Sequence, residues 1–302
     1  MHQIKGIVPP VITPLLSSDR LDRAGLERLI EHMLTGGVHG LFILGTTGEG
    51  PSLPYALRRE VITAVTQQVK DRVPVIVAIT DSAAEETLSL ARFAAEAGAT
   101  ATALALPYYF PIRQADVKAY LASILPRIPL PVLLYNMPSH VKLNMDLDTL
   151  AAFLPLPNVI GVKDSSGDVG YFHRVVALAA ARPDWSLMMG SEILLADGIF
   201  AGGHGCIAGG ANVHPRLFVR QYEAAIAHDM KTVRHLQKEI IELNEKLYGE
   251  EPNSPGCIKG VKYALGHLGI CSDILAEPLH PCSEATREVI RNFLKKIELD
   301  SK

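Results

Sequence analysis

Cysteine is scarce. The four present among 302 residues, Cys206, Cys257, Cys271 and Cys282, show no CxxC spacing. That argues against a thiol-based metal site and against a disulfide framework, so reduced thiols and a cytoplasmic location are expected. Cys257 reads as a small core residue rather than a nucleophile. Excess charge of either sign is also missing. Lys and Arg total 29 against 32 Asp and Glu, a net charge of -3, and no basic run stands out. Nothing here suits a nucleic-acid partner. No uninterrupted apolar stretch reaches the roughly 20 residues of a membrane helix. The start, Met1-His2-Gln3-Ile4-Lys5-Gly6, lacks the apolar core of a signal peptide. Internal repeats and low-complexity segments are absent too.

What the chain does have is alternation. Strand-like apolar runs occur at Gly6–Thr13, Gly40–Thr46, Val73–Thr80, Ala101–Pro107, Pro131–Asn136, Val159–Asp164, Leu187–Gly190 and Gly205–Ala208. Each is followed by a helical pattern: Asp22–Leu34, Tyr55–Val69, Ala83–Ala97, Gln114–Ile124, Leu147–Phe153, Gly170–Ala181, Ile193–Ala201 and Pro215–His228. In the first helix Leu26, Leu29, Ile30 and Met33 share one face at amphipathic spacing. Asp81-Ser82 is a candidate N-cap for the third. Repeated βα units imply parallel strands and right-handed crossovers. Eight of them predict an α/β fold of the (β/α)8 TIM-barrel type, with its active site at the C-terminal strand ends. The competing open, doubly wound sheet would favour a glycine-rich dinucleotide turn after the first strand, and Val8-Pro9-Pro10-Val11 has none. Strands stop near residue 228. Met230–Leu247, Ile258–Leu268 and Ser283–Lys296 read as a C-terminal three-helix extension, broken by the loop Glu250–Gly256. The expected organisation is a catalytic barrel over 1–228 and the helical extension over 229–302.

The chemistry points to one amine. Lys163 lies in Val159-Ile160-Gly161-Val162-Lys163-Asp164-Ser165-Ser166, inside an apolar strand. Lysine is almost never fully buried without a partner or a task. Burial favours the neutral amine, which attacks carbonyls and forms Schiff bases. The alternative is that the strand ends at Val162 and Lys163 faces water. Other strand ends carry polar groups that one barrel would bring together. Gly45-Thr46-Thr47-Gly48-Glu49-Gly50 offers hydroxyls and accessible amides, either a carboxylate cradle or an ordinary glycine-rich turn. Pro107-Tyr108-Tyr109-Phe110 and Tyr135-Asn136-Met137-Pro138-Ser139-His140 supply phenols, either proton carriers or amphipathic plugs. Gly202-Gly203-His204-Gly205 and Gly209-Gly210-Ala211-Asn212 flank the eighth strand, where barrels often hold phosphate. With no Lys or Arg there, small residues making room at a tapering rim is the favoured reading over a phosphosugar site.

The motifs at these strand ends, together with Gly6-Ile7-Val8-Pro9-Pro10-Val11-Ile12-Thr13-Pro14, resemble end to end the dihydrodipicolinate synthase / N-acetylneuraminate lyase family of class I aldolases. The resemblance implies that Lys163 forms a Schiff base with pyruvate or another 2-keto acid. Thr46 and Thr47 would hold its carboxylate. Tyr135 would shuttle protons, linked by Thr46 to Tyr109, which in the family commonly reaches in from an adjacent subunit. Ile207 matches a position whose backbone carbonyl faces the site. A homodimer or homotetramer is implied, with no cofactor and no metal.

One position departs from the family pattern. Dihydrodipicolinate synthases typically carry arginine where Pro138-Ser139-His140 places His140. Histidine cannot make arginine's bidentate grip on a carboxylate, and Lys142 offers only a point charge. The preferred partner is therefore an aldehyde from a 2-keto-3-deoxy sugar acid or 4-hydroxy-2-oxo acid, with dihydrodipicolinate synthesis as the alternative. His140, Ser191 and Glu192 are candidates to meet polyol hydroxyls, although Glu192 also suits a helix N-terminus. A non-catalytic barrel that senses a keto acid is the rival of another class.

Overall fold

The computed structural model of the chain describes residues 3–249 and 256–297. Eight strands form one parallel sheet: β1 Gly6–Ile7, β2 Leu41–Ile43, β3 Val75–Ala78, β4 Ala101–Ala105, β5 Val132–Asn136, β6 Val159–Asp164, β7 Ser186–Met189 and β8 Gly205–Cys206. From β2 to β8 each strand pairs with its neighbour in sequence, and β8 pairs back onto β1. The ring closes between the segment after β1 and β2: Phe42 N donates to Pro9 O at 2.9 Å and Val11 N to Phe42 O at 2.8 Å. The first strand is shorter than its apolar run because Pro9 and Pro10 have no amide to give a ladder. The strands are buried on both faces, as their near-continuous apolar sequences require.

Around the barrel lie α1 Arg23–Thr35, α2 Tyr55–Val69, α3 Ala84–Glu96, α4 Gln114–Ile124, α5 Leu147–Ala151, α6 Val169–Ala179, α7 Leu195–Phe200 and α8 Pro215–Ile226. The first buries Leu26, Leu29, Ile30 and Met33, and Asp22 caps it by accepting from Gly25 N at 2.9 Å. Asp168 caps α6 in the same way, through Tyr171 N at 2.9 Å. Three more helices follow, α9 Met230–Tyr248, α10 Gly256–His267 and α11 Glu284–Leu294, each packed on the one before. Residues 250–255 of the expected interhelical loop lie outside the described residues.

Several local expectations change. A small antiparallel hairpin, Leu15–Ser17 with Arg20–Leu21, precedes α1. The cap of α3 is Ala83, not Asp81-Ser82, because the Asp81 carboxylate pairs with buried Arg58 at 3.0 Å while accepting from Ala83 N. The seventh helix opens as a 3-10 turn, Glu192–Leu194, before α7. A single helical turn, Pro138–Val141, follows β5.

Candidate active site

A bulge aims Lys163. Along β5 and β6, Val132 pairs with Val159 but Leu133 pairs with Gly161, so Ile160 is the extra residue. One extra residue reverses which side chains share a face from there on. Gly161 has φ +147, and a Cβ there would run into the Ser186 carbonyl, so the bulge needs glycine. Beyond it Tyr135 lies opposite Lys163, and Lys163 opposite Met188. Lys163 is 4% exposed, which excludes the solvent-facing alternative. Its Nζ lies 3.8 Å from the centroid of the Tyr135 ring and 4.2 Å from that of Phe42. The two rings meet edge to face at 6.0 Å.

The next residue points the other way. Asp164 is buried and accepts from Asn136 Nδ2 at 2.8 Å, Ser166 N at 3.1 Å and Ser166 Oγ at 2.9 Å. Burial raises its carboxyl above the usual range against those hydrogen bonds. Asn136 also accepts from Met145 N at 3.1 Å. This network fixes the ends of β5 and β6, and so the facing pair Tyr135 and Lys163.

Next to Tyr135 opens a cavity of about 590 Å³, lined by Leu44, Gly45, Thr46, Pro51, Ala78, Thr80, Ala105, Tyr108, Tyr135, Met137, Ser139, His140, Val141 and Lys142. Lys163 is not in that lining and lies behind it, against the Tyr135 ring. Thr46, Tyr135 and His140 thus share one space. Thr47 is half-buried beside Thr46, and Ile207 is 2% exposed at the end of β8; neither side chain is in that lining. The turn carrying the threonines is tight. Thr13 Oγ1 donates to Gly48 O at 2.7 Å, and a Cβ on Gly50 would overlap the Leu44 carbonyl.

His140 sits on the cavity rim. Its Nδ1 shares a 2.9 Å hydrogen bond with Ser139 Oγ. Loss of solvent around the ring and the charges of Lys142 and Lys163 hold its pKa below the ordinary histidine value. Its neutral, hydrogen-bonding form is thereby favoured over the cation. Lys142, at φ 61, donates to Ser139 O at 2.8 Å.

Tyr109 and Glu192 lie outside this cavity. Tyr109 does not join the cavity within one chain: it is 75% exposed, its ring edge-on to Phe110 at 5.0 Å. Glu192 is not in that lining either. It is 4% exposed and accepts from Gly210 N at 2.7 Å, Tyr248 OH at 2.7 Å and Asn244 Nδ2 at 3.2 Å, so protein donors take the place of polyol hydroxyls. Gly210 N is thereby occupied by a carboxylate, which leaves the glycine-rich segment poorly suited to phosphate. The cysteines are free; burial pushes Cys257 up to about 11 and Cys206 well above the ordinary thiol value, consistent with packing rather than nucleophilic roles.

A buried amine on the sixth strand of a closed barrel, a tyrosine opposite it and a threonine turn beside it now have a context. The model of the dihydrodipicolinate synthetase family matches residues 3–297. The chain belongs to that family. A 4-hydroxy-tetrahydrodipicolinate synthase of Rhodospirillum centenum is 34% identical, over 98% of this chain and 99% of its own length. The solved dihydrodipicolinate synthase of Bacteroides thetaiotaomicron is 42% identical, with a TM-score of 0.94 over 98% of this chain and all (100%) of its own. A prophage protein of the dihydrodipicolinic acid synthase family from E. coli K12, solved with pyruvate, is 25% identical with a TM-score of 0.91, over 98% of this chain and 99% of its own. Membership makes this chain an enzyme of the Schiff-base, pyruvate-dependent type.

Sequence reasoning missed Phe42, Glu49 and Lys262. Phe42 is hidden in a strand whose neighbours are equally apolar, and nothing in the sequence pairs Glu49 with a lysine more than 200 positions away.

Proposed function

We propose that this family member is an aldolase or lyase in which Lys163 captures pyruvate, or a close 2-keto acid, as a Schiff base. The observation that carries this reading is Lys163, buried in a strand with its amine against the Tyr135 and Phe42 rings, the first of which lines the cavity. The amine adds to the ketone carbon and water leaves, giving an iminium. The iminium draws electrons, so a proton leaves the adjacent carbon and an enamine forms. The enamine carbon bonds to an aldehyde carbon, whose oxygen takes up a proton. Water then hydrolyses the iminium, releasing product and restoring Lys163. Cleavage is the same path reversed. Tyr135 carries the protons, and the Thr46–Thr47 turn with the Ile207 carbonyl orients the keto acid. Exposed Tyr109 suits delivery into an adjacent copy's site, in a homodimer or homotetramer built from barrels of residues 1–228 and extensions of 229–302.

For the aldehyde, the rim favours hydroxyl recognition. The neutral form of His140 is favoured, and Thr80, Ser139 and Tyr108 offer hydroxyls to the same cavity. The partner is then an aldehyde released from a 2-keto-3-deoxy sugar acid or a 4-hydroxy-2-oxo acid. A second reading, condensation of pyruvate with aspartate semialdehyde, is supported by the names of the relatives and by the Lys142 ammonium at the rim. Borohydride should inactivate the enzyme only when pyruvate is present. A panel of polyhydroxylated aldehydes and aspartate semialdehyde, with products read by mass spectrometry, separates the two readings. Fast turnover of aspartate semialdehyde alone would reverse the preference, and inactivation indifferent to pyruvate would remove the whole proposal.

A further inference from the structure

Lys262 on α10 is 0% exposed and Glu49, in the turn after β2, is 3% exposed. The ammonium meets Glu49 Oε2 directly. It also donates to Ile274 O at 2.6 Å, while Glu49 Oε1 accepts from Ala276 N at 2.8 Å. The C-terminal region therefore holds both carboxylate oxygens. Glu49 in turn holds the threonine turn, since its own amide donates to Thr46 O at 2.9 Å and that of Gly50 to Gly45 O at 3.2 Å. Two non-glycine residues in this turn, Leu44 at φ 60 and Glu49 at φ 55, adopt left-handed backbone. Such conformations persist where the surroundings over-determine them.

Stability alone is a weak reason for this pair. Removing two charges from water is costly, and apolar replacements of buried pairs are often neutral or stabilising. Burial indeed pushes the Glu49 carboxyl up and the Lys262 ammonium down, each opposed by the other's charge. What the pair supplies is a directional tie from a helix outside the barrel to one turn at the cavity.

The geometry points to Lys262 as a positioning residue for keto-acid binding: through Glu49 it fixes the turn whose Thr46 and Thr47 grip the carboxylate, without touching the substrate. This rests on the carboxylate role proposed above for that turn. The test compares wild type, Lys262→Met, Glu49→Gln and the double variant. Three quantities are read: the pyruvate concentration that half-saturates borohydride inactivation, turnover at saturation, and the thermal midpoint. Lys262→Met should raise half-saturation about tenfold or more while saturating turnover stays within about threefold, the signature of lost ground-state binding. The double variant leaves no lone buried charge. It should recover most of the lost thermal midpoint yet keep half-saturation raised by roughly threefold or more, and it carries the test if Lys262→Met does not fold. Wild-type half-saturation in a folded double variant overturns the inference. Wild type that pyruvate and borohydride leave active overturns the lysine-and-carboxylate reading beneath it instead.

Discussion

The two ends of the barrel use the same polar residue types for opposite ends. At the N-terminal end, histidines close hydrogen bonds. His39 Nδ1 accepts from Ile7 N at 3.1 Å, His204 Nδ1 accepts from Leu187 N at 3.0 Å, and Ser186 Oγ accepts from Ile4 N at 2.8 Å. Each lends an acceptor to a backbone amide at the barrel's lower edge. At the C-terminal end, Thr46, Tyr108, Tyr135 and His140 converge on a cavity, and Lys163 lies against the Tyr135 ring. A polar group that completes a strand edge serves the fold; one aimed into a cavity is available to a substrate.

The sharpest break of this comparison is Lys163→Met. Methionine keeps an unbranched chain of similar length and removes a buried amine, so the thermal midpoint should hold or rise. Turnover should fall by roughly 10³-fold or more, with all pyruvate-dependent inactivation by borohydride lost. Tyr135→Phe keeps the ring against the amine and removes only the phenol; turnover should drop about 10²-fold while pyruvate still labels the protein. Stopped-flow formation of the Schiff base separates the two variants, since only the first should abolish it.

His140→Arg sharpens the comparison at the rim. A guanidinium adds a bidentate grip on a carboxylate, so kcat/KM for aspartate semialdehyde should rise roughly tenfold relative to polyhydroxylated aldehydes. An unchanged ratio would remove His140 from substrate selection. The smallest effect belongs to the lower end. Burial lowers the pKa of both His39 and His204 below the ordinary 6.5. In the window below 6.5 the unfolded chain binds more protons than the folded one. The histidines' contribution is therefore complete above that value and is lost as pH falls toward the lowered folded-state values. The thermal midpoint should drop by roughly 2 to 4 °C on acidification from neutrality through that window, and His204→Asn should flatten the drop without changing turnover at neutral pH.

Much of the barrel was legible because its code is local. Eight apolar runs separated by amphipathic stretches fix strand and helix by period alone, and a lysine inside one of those runs stands out by chemistry. The bulge at Ile160 was not legible as such. Gly161 permits it, but its need appears only when Ser186 approaches from β7. Glu192 shows the same limit. In sequence it is a carboxylate at a strand end, suited either to substrate hydroxyls or to a helix N-terminus; in the fold Asn244 and Tyr248, more than 50 positions away, turn it inward. Lys262 is harder still. Beside Lys259 it reads as one more charge on a helix, and tertiary packing alone gives it Glu49 as a partner.

The central claim is that the Lys163 amine is the group that captures the keto acid. Peptide mapping after borohydride reduction in the presence of pyruvate tests it most directly. The account predicts a single N-(1-carboxyethyl) adduct, carried by the peptide containing Lys163 and absent without pyruvate. An adduct on any other lysine, or none under conditions where the enzyme turns over, would contradict it.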